Sequence, residues 1–479
     1  MLLGGASGMA VDLDDLKGSR VLLVGRSEGH FTYYDSIIEA LLDRGAQVAL
    51  WYVQGWTDKN DAALKSFRLK RPDLQVDWVP RRDDLWRRLA FALRELRSFA
   101  WYLRRSDASA FYIRRWQGYL SGWLGRAATS RLGRRILRRP TADRLFALAE
   151  RLIPPFPDAV ERLRRFRPDV VIVSPSNMRF SEEVEYVKAC RSLGLPVAVL
   201  VQTWDSLTTK GLLQIVPDVL LVWHGQHRRA ARDLHGIAEG RVRIVGAPFF
   251  DKWLREVGAS TEADAANRPA PYVLYLGSSK NIAVDEAWVA KALRRAFEQH
   301  WHPMMRRVEV QIRPHPANLR PFKAIEGDGL RVARTSLPQD SADTGEFLDL
   351  ARGALAVVGI NTSGMLDTVI LDCPTIALRL DEYLETQIMT PHFQAMVASG
   401  AMYEEASFEA AADRVMAIWR GDDDAAAARR HFRKNMIWPG GAGVTAGGIV
   451  ASVVGELSRR GAAGGSGRHS VPGVARTAA

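Results

Sequence analysis

The feature that most constrains the fold is a repeated alternation of short apolar runs with longer amphipathic ones. RVLLVG (20–25), QVALWYV (47–53) and PVAVLV (196–201) are apolar along nearly their whole length, which is typical of strands buried on both faces. Stretches such as 181–194 and 285–299 instead carry apolar residues at helical spacing. Strands that alternate with helices in this way predict an α/β fold, with parallel sheets covered by helices.

The alternation occurs twice, and a polar segment separates the two series. A chain of 479 residues is too long for one ordinary core, and residues 256–271 are small, polar and proline-containing, which predicts a linker. We therefore predict two doubly wound, Rossmann-like domains that face a central cleft, where the carboxyl ends of both sheets would bind ligands. The predicted boundaries are 18–260 and 270–430 for the domains, 431–457 for C-terminal helices and 461–479 for a disordered Gly/Ala/Ser-rich tail.

The positive charge of the chain is concentrated in one segment. The net charge is +12, and residues 81–151 hold eighteen arginines against six acidic residues, so the remainder of the chain is close to neutral. Tryptophan, tyrosine and phenylalanine are interleaved with these arginines, and residues 83–105 have apolar residues near helical spacing. We predict an arginine-rich helical insertion within the first domain.

The insertion has three possible roles. Its apolar face can pack on the first domain, or its aromatic side chains can enter a membrane interface while arginines meet anionic lipid. These two roles are compatible, and both remain open. Nucleic-acid binding is disfavoured because no known reader motif accompanies the charge.

Cysteine usage and hydropathy indicate the compartment. The two cysteines, Cys190 and Cys373, are far apart in sequence, which excludes a disulfide framework or a Cys-rich metal site and fits a reducing cytoplasm. Residues 1–20 lack the features of a signal peptide, and there is no uncharged apolar run long enough to span a membrane. We predict a cytoplasmic protein, which would be peripheral at the inner face of the cell membrane if residues 81–151 dock there.

The second series of strands ends in three polar loops. One follows strand YVLYL, one follows VEVQI, and one joins strand ALAVV to the next helix. Small hydroxyl residues at a helix start present backbone N–H groups and the positive end of the helix dipole to an anion, although simple N-capping by Thr362 or Ser363 is the alternative. The predicted phosphate-binding residues are Ser278, Ser279, Arg313, His315, Asn361, Thr362, Ser363 and Gly364, with Asp367 as a supporting charge.

His315 lies between two prolines. Pro314 and Pro316 restrict the backbone on either side of it, so the histidine has a stiff, non-helical support directly after a strand. This arrangement is suited to holding a side chain at the carboxyl edge of a sheet.

Two loops of the first domain should face the same cleft. They span 26–30 and 203–211 and follow predicted strands. A group transfer needs a base to remove the acceptor proton, and His30 and Asp205 are the candidates, with Arg26 or Lys210 to neutralise phosphate. Alternatively, Asp205 caps a turn and His30 merely lines the cleft. Asp422–Asp424 follows a helix end and is interpreted as a solvated helix start, so no metal site is predicted.

These motifs resemble the C-terminal half of GT-B-fold enzymes, which use nucleotide-activated sugars or alcohols. The His-Pro after a strand and the later Ser/Thr-rich loop are similar to those of CDP-glycerol glycerophosphotransferases, capsule polysialyltransferases and Kdo transferases. Residues 361–367 and 373–379 also resemble a stretch of UDP-N-acetylglucosamine 2-epimerases. The resemblance implies that His315, Thr362 and Ser363 contact the phosphates of the donor.

The sequence departs from the epimerases at three places. It has Gly277–Asn281 where they carry His-Arg-x-Glu, Gly25–His30 where they carry Gly-Thr-Arg-Pro-Glu, and Asp367-Thr368 where they carry Glu-Glu. Transfer of a sugar or glycerophosphate from a nucleotide-activated donor to a surface-glycan or lipid-linked acceptor is therefore favoured, without a separate cofactor, metal or nucleic-acid partner. The alternatives are a UDP-sugar 2-epimerase-like enzyme and a catalytically silent nucleotide- or carbohydrate-binding partner of a surface-polymer complex.

Overall fold

Two separate parallel sheets form the framework of the protein. The computed structural model describes residues 16–53, 62–254, 271–323, 325–333, 341–441 and 443–465. The linker predicted at 256–271 lies outside these residues except for Pro271. Because every strand pair named in the two sheets is parallel, the predicted α/β class with two Rossmann-like domains is confirmed.

The first sheet has strand order β3-β2-β1-β4-β5-β6-β7. Its strands are β1 (Arg20–Gly25), β2 (Gln47–Val53), β3 (Gln75–Val79), β4 (Val170–Val173), β5 (Val197–Leu200), β6 (Val219–Val222) and β7 (Val242–Ile244). The central strands are β-branched or leucine-rich and fully buried, as expected for strands covered on both faces. The strand order reverses between β1 and β4, which is where such sheets form a ligand-binding crevice.

The second sheet has strand order β10-β9-β8-β11-β12-β13. Its strands are β8 (Tyr272–Leu276), β9 (Glu309–Arg313), β10 (Leu330–Val332), β11 (Val357–Gly359), β12 (Thr375–Leu378) and β13 (Tyr403–Glu405). Here the order reverses between β8 and β11. The loops that follow β9, β8 and β11 therefore leave neighbouring strands at the same edge of the sheet.

The first domain contains ten α-helices among the described residues. They are α1 (Asp35–Asp43), α2 (Ala62–Lys70), α3 (Arg87–Arg104), α4 (Ala110–Tyr119), α5 (Gly122–Thr129), α6 (Arg131–Leu137), α7 (Pro140–Leu152), α8 (Pro157–Phe166), α9 (Glu183–Leu193) and α10 (Gly225–His235). Gly194 ends α9 in the left-handed conformation with φ of 68°, which glycine adopts at little cost. The predicted helix 181–194 corresponds to α9.

Buried ion pairs attach the arginine-rich segment to α9. Arg94 on α3 binds Glu150 on α7 with a closest N···O distance of 2.8 Å and Glu185 on α9 at 2.7 Å. Arg82 binds Glu185 at 2.8 Å, and Lys188 binds Glu150 at 3.1 Å. All five side chains are buried. Some charges of residues 81–151 therefore fix α3 and α7 to the first domain.

The second domain is followed by a helix that returns to the first. Its helices are α11 (Ala287–Gln299), α12 (Pro303–Arg306), α13 (Ser341–Gly353), α14 (Ser363–Ile370), α15 (Pro391–Ala398), α16 (Phe408–Trp419) and α17 (Ala426–Phe432). A short π-helical turn spans Arg433–Ile437, and α18 (Ala446–Gly465) then packs against α1. Gly447 permits this packing, since a Cβ atom there would collide with the backbone of Ser36.

Asp251 connects the end of the first domain to the returning segment. Its carboxylate accepts hydrogen bonds from the indole N–H of Trp438 at 3.1 Å and from the amides of Ala446 and Gly447 at 2.9 and 2.8 Å. The last two N–H groups belong to the first turn of α18, which no helical carbonyl can satisfy. A single buried side chain thus holds the start of α18 in place.

The last helix, α18, extends into the segment that the sequence predicts to be disordered. We predict disorder from residue 461, but α18 continues to Gly465, and residues 466–479 lie outside the described residues. Close packing of Gly461 on Pro196 explains the difference, since a Cβ atom at Gly461 would lie 3.2 Å from that ring. Within the described ranges, no helix is both long and apolar enough to cross a membrane.

Candidate functional site

The loops after β8 and β9 approach each other closely at the carboxyl edge of the second sheet. A Cβ atom at Gly277 would lie 3.1 Å from Pro314 Cα and 3.2 Å from the backbone nitrogen of His315. These distances are tighter than nine in ten real Cβ contacts, so a side chain at this position would require the neighbouring loop to shift by a few tenths of an ångström. The structure thereby brings the start of the serine loop next to the histidine loop.

His315 presents one ring nitrogen for binding. Its Nδ1 atom accepts the amide N–H of Ala317 at 3.0 Å, and partial burial lowers the pKa of the ring below its usual value. A neutral ring whose Nδ1 atom accepts a hydrogen bond carries its hydrogen on Nε2. The turn after β9 therefore makes the Nε2–H group of His315 a donor for an anion.

The loop after β11 ends in hydroxyl groups at the start of α14. Thr362 occupies the N-cap position in an extended conformation (φ −139°, ψ 150°), but its side chain makes no capping hydrogen bond. Ser363, the first residue of the helix, is exposed, and Thr362 and Gly364 are half-buried. Both hydroxyl groups are therefore accessible beside the positive end of the α14 dipole.

The side chain of Asn361 and the backbone amide of Ser278 have internal partners instead. The side-chain amide of Asn361 donates to the carbonyl of Thr386 at 2.6 Å, and the N–H of Ser278 donates to the carboxyl group of Glu286. Burial raises the pKa of Glu286 to about 7. Asn361 and Ser278 are buried, whereas Ser279 is half-buried. These contacts indicate that Asn361 and Ser278 shape their loops, while Ser279 is the more accessible hydroxyl of the pair.

A group of titratable side chains from both domains surrounds Asp367. Burial raises the pKa of Asp367 to about 7, and nearby Lys252 and Arg313 partly oppose this effect. Burial also raises the pKa of Asp35 to about 7, again opposed by Lys252, and raises the pKa of Tyr33 to about 12. Asp35 and Asp367 are thus two carboxyl groups whose protonation changes near neutral pH, a property common at functional sites.

Sequence reasoning missed Asp35, Lys252 and Tyr33. Asp35 looks like an ordinary acidic residue in the first turn of a helix, and Lys252 like an ordinary residue after a strand. The available signal is that both follow strands of the first sheet, β1 and β7, at their carboxyl ends.

The loop after β1 contributes His30 and Arg26. His30 is half-buried, and its ring packs edge-on against Tyr33 with centroids 5.7 Å apart. Arg26 is 8% exposed, and its Nη2 atom donates to the carbonyl of Arg179 at 2.9 Å. Arg26 therefore has a structural bond to the loop after β4, and His30 is the more accessible of the two.

Asp205 is tied into its own loop. It accepts hydrogen bonds from the hydroxyl groups of Thr203 at 2.7 Å and Thr209 at 2.6 Å, and it pairs with the Lys210 ammonium at 3.0 Å. Burial alone would raise the pKa of Asp205, but Lys210, His392 and the two hydroxyl groups bring it well below its usual value. A carboxylate held ionised in this way is a weak proton acceptor at neutral pH.

The acidic run after α16 is also internally bonded. Asp423 accepts a hydrogen bond from Tyr403 at 2.8 Å and pairs with Arg429. In the part of the chain that the structure covers, no cluster of three His, Cys, Asp or Glu side chains could hold a metal ion.

Sequence comparison gives no family assignment. No protein-family profile matches the chain. A segment of 85 residues is 31% identical to the large ribosomal subunit protein uL22 of Ignicoccus hospitalis, which is 17% of this chain and 53% of that protein. The chain thus spans about half the length of this curated relative, and so short a match shows no family.

Comparison with solved structures is more informative. The UDP-GlcNAc 2-epimerase of Neisseria meningitidis, solved with UDP-GlcNAc, is 10% identical with a TM-score of 0.52, covering 92% of this chain and 100% of that one. UGT89C1 of Arabidopsis thaliana, solved with UDP-L-rhamnose, is 14% identical with a TM-score of 0.50, again covering 92% and 100%. At these identities the likeness shows the architecture alone. The chain has the GT-B fold, with two Rossmann-like domains on either side of a cleft.

Proposed function

We propose that this protein is a GT-B transferase that moves a sugar or glycerophosphate group from a nucleotide-activated donor to a surface-glycan or lipid-linked acceptor. The observation that carries the proposal is the set of uncommitted donors at the edge of the second sheet. The tautomer of His315 leaves its Nε2–H group available as a donor, Thr362 makes no capping bond at the start of α14, and Ser363 is exposed. Such donors suit the oxygens of a diphosphate.

The donor is held mainly by the second domain. Ser279 and Gly364 line the same edge as His315, Thr362 and Ser363, and Arg313 at the end of β9 supplies positive charge. Ser278 and Asn361 keep the loops in shape. The two structural neighbours were solved with UDP-sugars, which supports a nucleotide-sugar as the first ligand to test.

The acceptor is activated from the first domain. His30 is the better candidate for the base because the residue is only half-buried in the loop after β1, whereas Lys210 holds Asp205 ionised. In this proposal His30 removes the proton of the acceptor hydroxyl, and Asp205 with Lys210 positions the loop 203–211. In this proposal Arg26 positions the loop after β4, to which it donates a hydrogen bond.

A UDP-sugar 2-epimerase-like reaction is the second candidate. The observation that favours it is the pair Asp35 and Asp367, whose pKa values are both raised to about 7 by burial. Groups that exchange protons near neutral pH are what removal and return of a carbon-bound proton require. Incubation of UDP-GlcNAc with the protein in D₂O distinguishes the candidates, because only epimerisation introduces deuterium at C2.

Binding and turnover of nucleotides test the main proposal. Calorimetry with UDP, CDP, CMP and GDP should identify one preferred nucleotide, and a preparation of the matching activated donor should be consumed when an acceptor is added. Absence of binding to any of the four would remove the donor site from the second domain. Binding without turnover of any donor would instead favour the catalytically silent partner.

We further propose that the insertion docks on an anionic membrane surface. More than half of the large hydrophobic side chains that are exposed in the described chain lie between residues 85 and 152. Leu145, Leu148 and Leu152 form one exposed face of α7, and Leu85 and Leu89 are exposed beside it at the start of α3. Apolar side chains of this kind enter the lipid interface when cationic groups accompany them.

The arginines available for lipid differ from those that bind the protein. Arg88, Arg144 and Arg151 are exposed, whereas Arg105 is buried against Thr208, to whose carbonyl it donates at 2.6 Å. The triple variant Arg88→Glu/Arg144→Glu/Arg151→Glu should lose sedimentation with vesicles containing acidic lipid, because each arginine contributes about 1 kcal/mol near such a surface. Equal sedimentation of the native protein with neutral and acidic vesicles, or with neither, would leave the insertion as a packed helical element.

A further inference from the structure

A cavity lies between the two domains. Its volume is about 260 Å³. The first domain contributes Trp204, Trp223 and His227 to its wall, and the second contributes Leu366 and His392. Since both domains supply lining residues, the cavity exists only when the two are assembled.

The wall of the cavity is mostly apolar and carries no fixed positive charge. Met396, Phe432, Met436 and Ile437 complete the apolar side, and no lysine or arginine is among the described lining residues. The carboxylate of Asp107, at the rim, already pairs with Arg105 at 2.7 Å. A nucleotide diphosphate would find no cationic partner here, so this is a site for an uncharged group.

Two buried ring nitrogens in the described wall have no hydrogen-bond partner, Nδ1 of His227 and Nδ1 of His392, and the tautomer of His227 is fixed by a bond at its other nitrogen. His227 is 3% exposed, and its Nε2–H donates to the carbonyl of Trp204 at 2.8 Å. This bond places the hydrogen on Nε2 and leaves a lone pair on Nδ1, for which the described chain provides no hydrogen-bond donor. A buried acceptor without a partner is costly.

The rest of the polar lining is consistent with a neutral ligand. The ring of His224 stacks on that of His227 with centroids 4.0 Å apart, and His392 packs edge-on against Trp204 at 4.7 Å. Burial lowers the pKa of His227 and of His392 to about 4. All of these rings are therefore uncharged at neutral pH, and they offer aromatic surface rather than charge.

We infer that this cavity binds a neutral, apolar alcohol, whose hydroxyl group donates to Nδ1 of His227 and whose ring or chain packs against Trp204, Leu366 and Met396. The inference rests on the proposed transferase function, in which this group is the apolar end of the acceptor. The volume is just below the range of about 300–1,000 Å³ that is usual for small-molecule sites, so one ring system or a short chain fits. Met396 and Met436 adapt readily to different shapes.

Binding of simple alcohols to the full-length protein tests the inference. We expect 4-propylphenol, 1-octanol or both to bind by calorimetry, and the comparison shows whether a ring or a chain is preferred. The methyl ether 4-propylanisole, which lacks a donor, should bind at least tenfold more weakly than the phenol. Equal affinity for phenol and ether, or no binding of any alcohol, would overturn the inference.

Two variants assign any binding to this cavity. Ala395→Trp, on its lining, should abolish alcohol binding by filling the space, and His227→Phe should lower phenol affinity about tenfold while leaving ether affinity unchanged. Unaltered phenol binding by a folded His227→Phe variant would place the alcohol elsewhere and refute the inference. The melting temperature shows whether each variant folds.

A nucleotide titration of the same proteins separates this inference from the proposed function. If the native protein binds no nucleotide but still binds alcohol in a way that depends on His227, the proposed transferase function is wrong and the cavity remains an alcohol site. If the protein binds a nucleotide but no alcohol, the inference about the cavity is wrong and the proposed nucleotide site is unaffected.

Discussion

The two sheet edges that face the cleft look alike in sequence but differ in how their polar groups are used. In the first domain, polar side chains of the loop 203–211 bind one another, since Thr203, Thr209 and Lys210 all bind Asp205. In the second, Thr362 makes no capping bond and the neighbouring serine is exposed. A cluster of Ser, Thr, Asp and Lys thus indicates a ligand site only when its side chains are not already hydrogen-bonded to one another.

This difference suggests a division of labour. The edge of the second sheet offers open donors to a ligand, whereas the edge of the first is stiffened by internal bonds and leaves His30 as its accessible polar ring. Binding of the donor would then depend on the second domain, and proton removal on one residue of the first.

Replacement of His30 should have the largest effect on activity. His30→Ala removes the proposed base and should lower kcat by roughly 10²–10⁴, while nucleotide affinity stays within twofold because the phosphate loops are untouched. Steady-state kinetics and calorimetry measure the two quantities. A variant with native kcat would show that His30 is not the base.

Replacement of Asp205 should affect stability more than binding. Asp205→Ala leaves Lys210 without its partner and removes two hydroxyl contacts, which should cost about 2–3 kcal/mol given the partial exposure of the pair. Thermal unfolding should detect this loss, and nucleotide affinity should not change. Asp233→Ala, which breaks the exposed pair with Arg232, is the matched control and should cost less than about 0.5 kcal/mol. Equal stability of both variants would show that the bonds of Asp205 within the loop 203–211 do not stabilise the fold.

The open hydroxyl groups of the second edge should matter for affinity and not for stability. The double variant Thr362→Val/Ser363→Ala should weaken nucleotide binding about ten- to a hundredfold, because it removes contacts worth roughly 1.5–3 kcal/mol to a charged ligand. Its melting temperature should be nearly native, since the Thr362 side chain makes no capping bond and Ser363 is exposed. His315→Ala should behave in the same way. A double variant that is destabilised but binds normally would mean that these hydroxyl groups are structural.

Protonation of Asp367 should produce the smallest effect. Burial raises the pKa of Asp367 from 3.8 in the unfolded chain to about 7 in the folded one, so the folded state holds the proton more tightly. This contribution to stability is complete below about pH 4 and is lost as the pH rises through 7. Between pH 5 and pH 8 these pKa values alone would make the native protein lose about 2.6 kcal/mol more stability than the Asp367→Asn variant, and the half-buried position of the side chain reduces the expected difference to about 1 kcal/mol.

Thermal unfolding across this pH range measures the difference. Asp381→Asn, at an exposed position, is the control and should follow the native curve. Parallel curves for the native protein and Asp367→Asn would show that Asp367 is not held protonated in the fold.

The framework of the fold was predictable because it depends on local pattern. The apolar run 20–25 coincides with β1, and the alternation predicts both parallel sheets. By contrast, β10 and β13 went unpredicted. Each has three residues and pairs with a single neighbour at the edge of the second sheet, so neither needs a long apolar run.

The chemistry that was missed depends on contacts between distant segments. The position of Lys252 near both Asp35 and Asp367 follows from the arrangement of the two domains, and so does the meeting of Trp204 with His392. His315 could be singled out because two prolines flank it in sequence. Its ring tautomer could not, since that is set by the bond to the amide of Ala317.

The hydrogen bonds of Asp251 limit how the two domains can move. The chain passes from the first domain to the second after residue 254 and comes back through 433–446, and the hydrogen bonds of Asp251 to Trp438 and to the start of α18 bring the two passages together. The domains also touch elsewhere, as at Trp204 and His392, but the two chain passages between them are held together at Asp251 and cannot slide apart there. Opening and closing of the cleft would therefore be a swing about Asp251, with the largest displacement at the loops farthest from it.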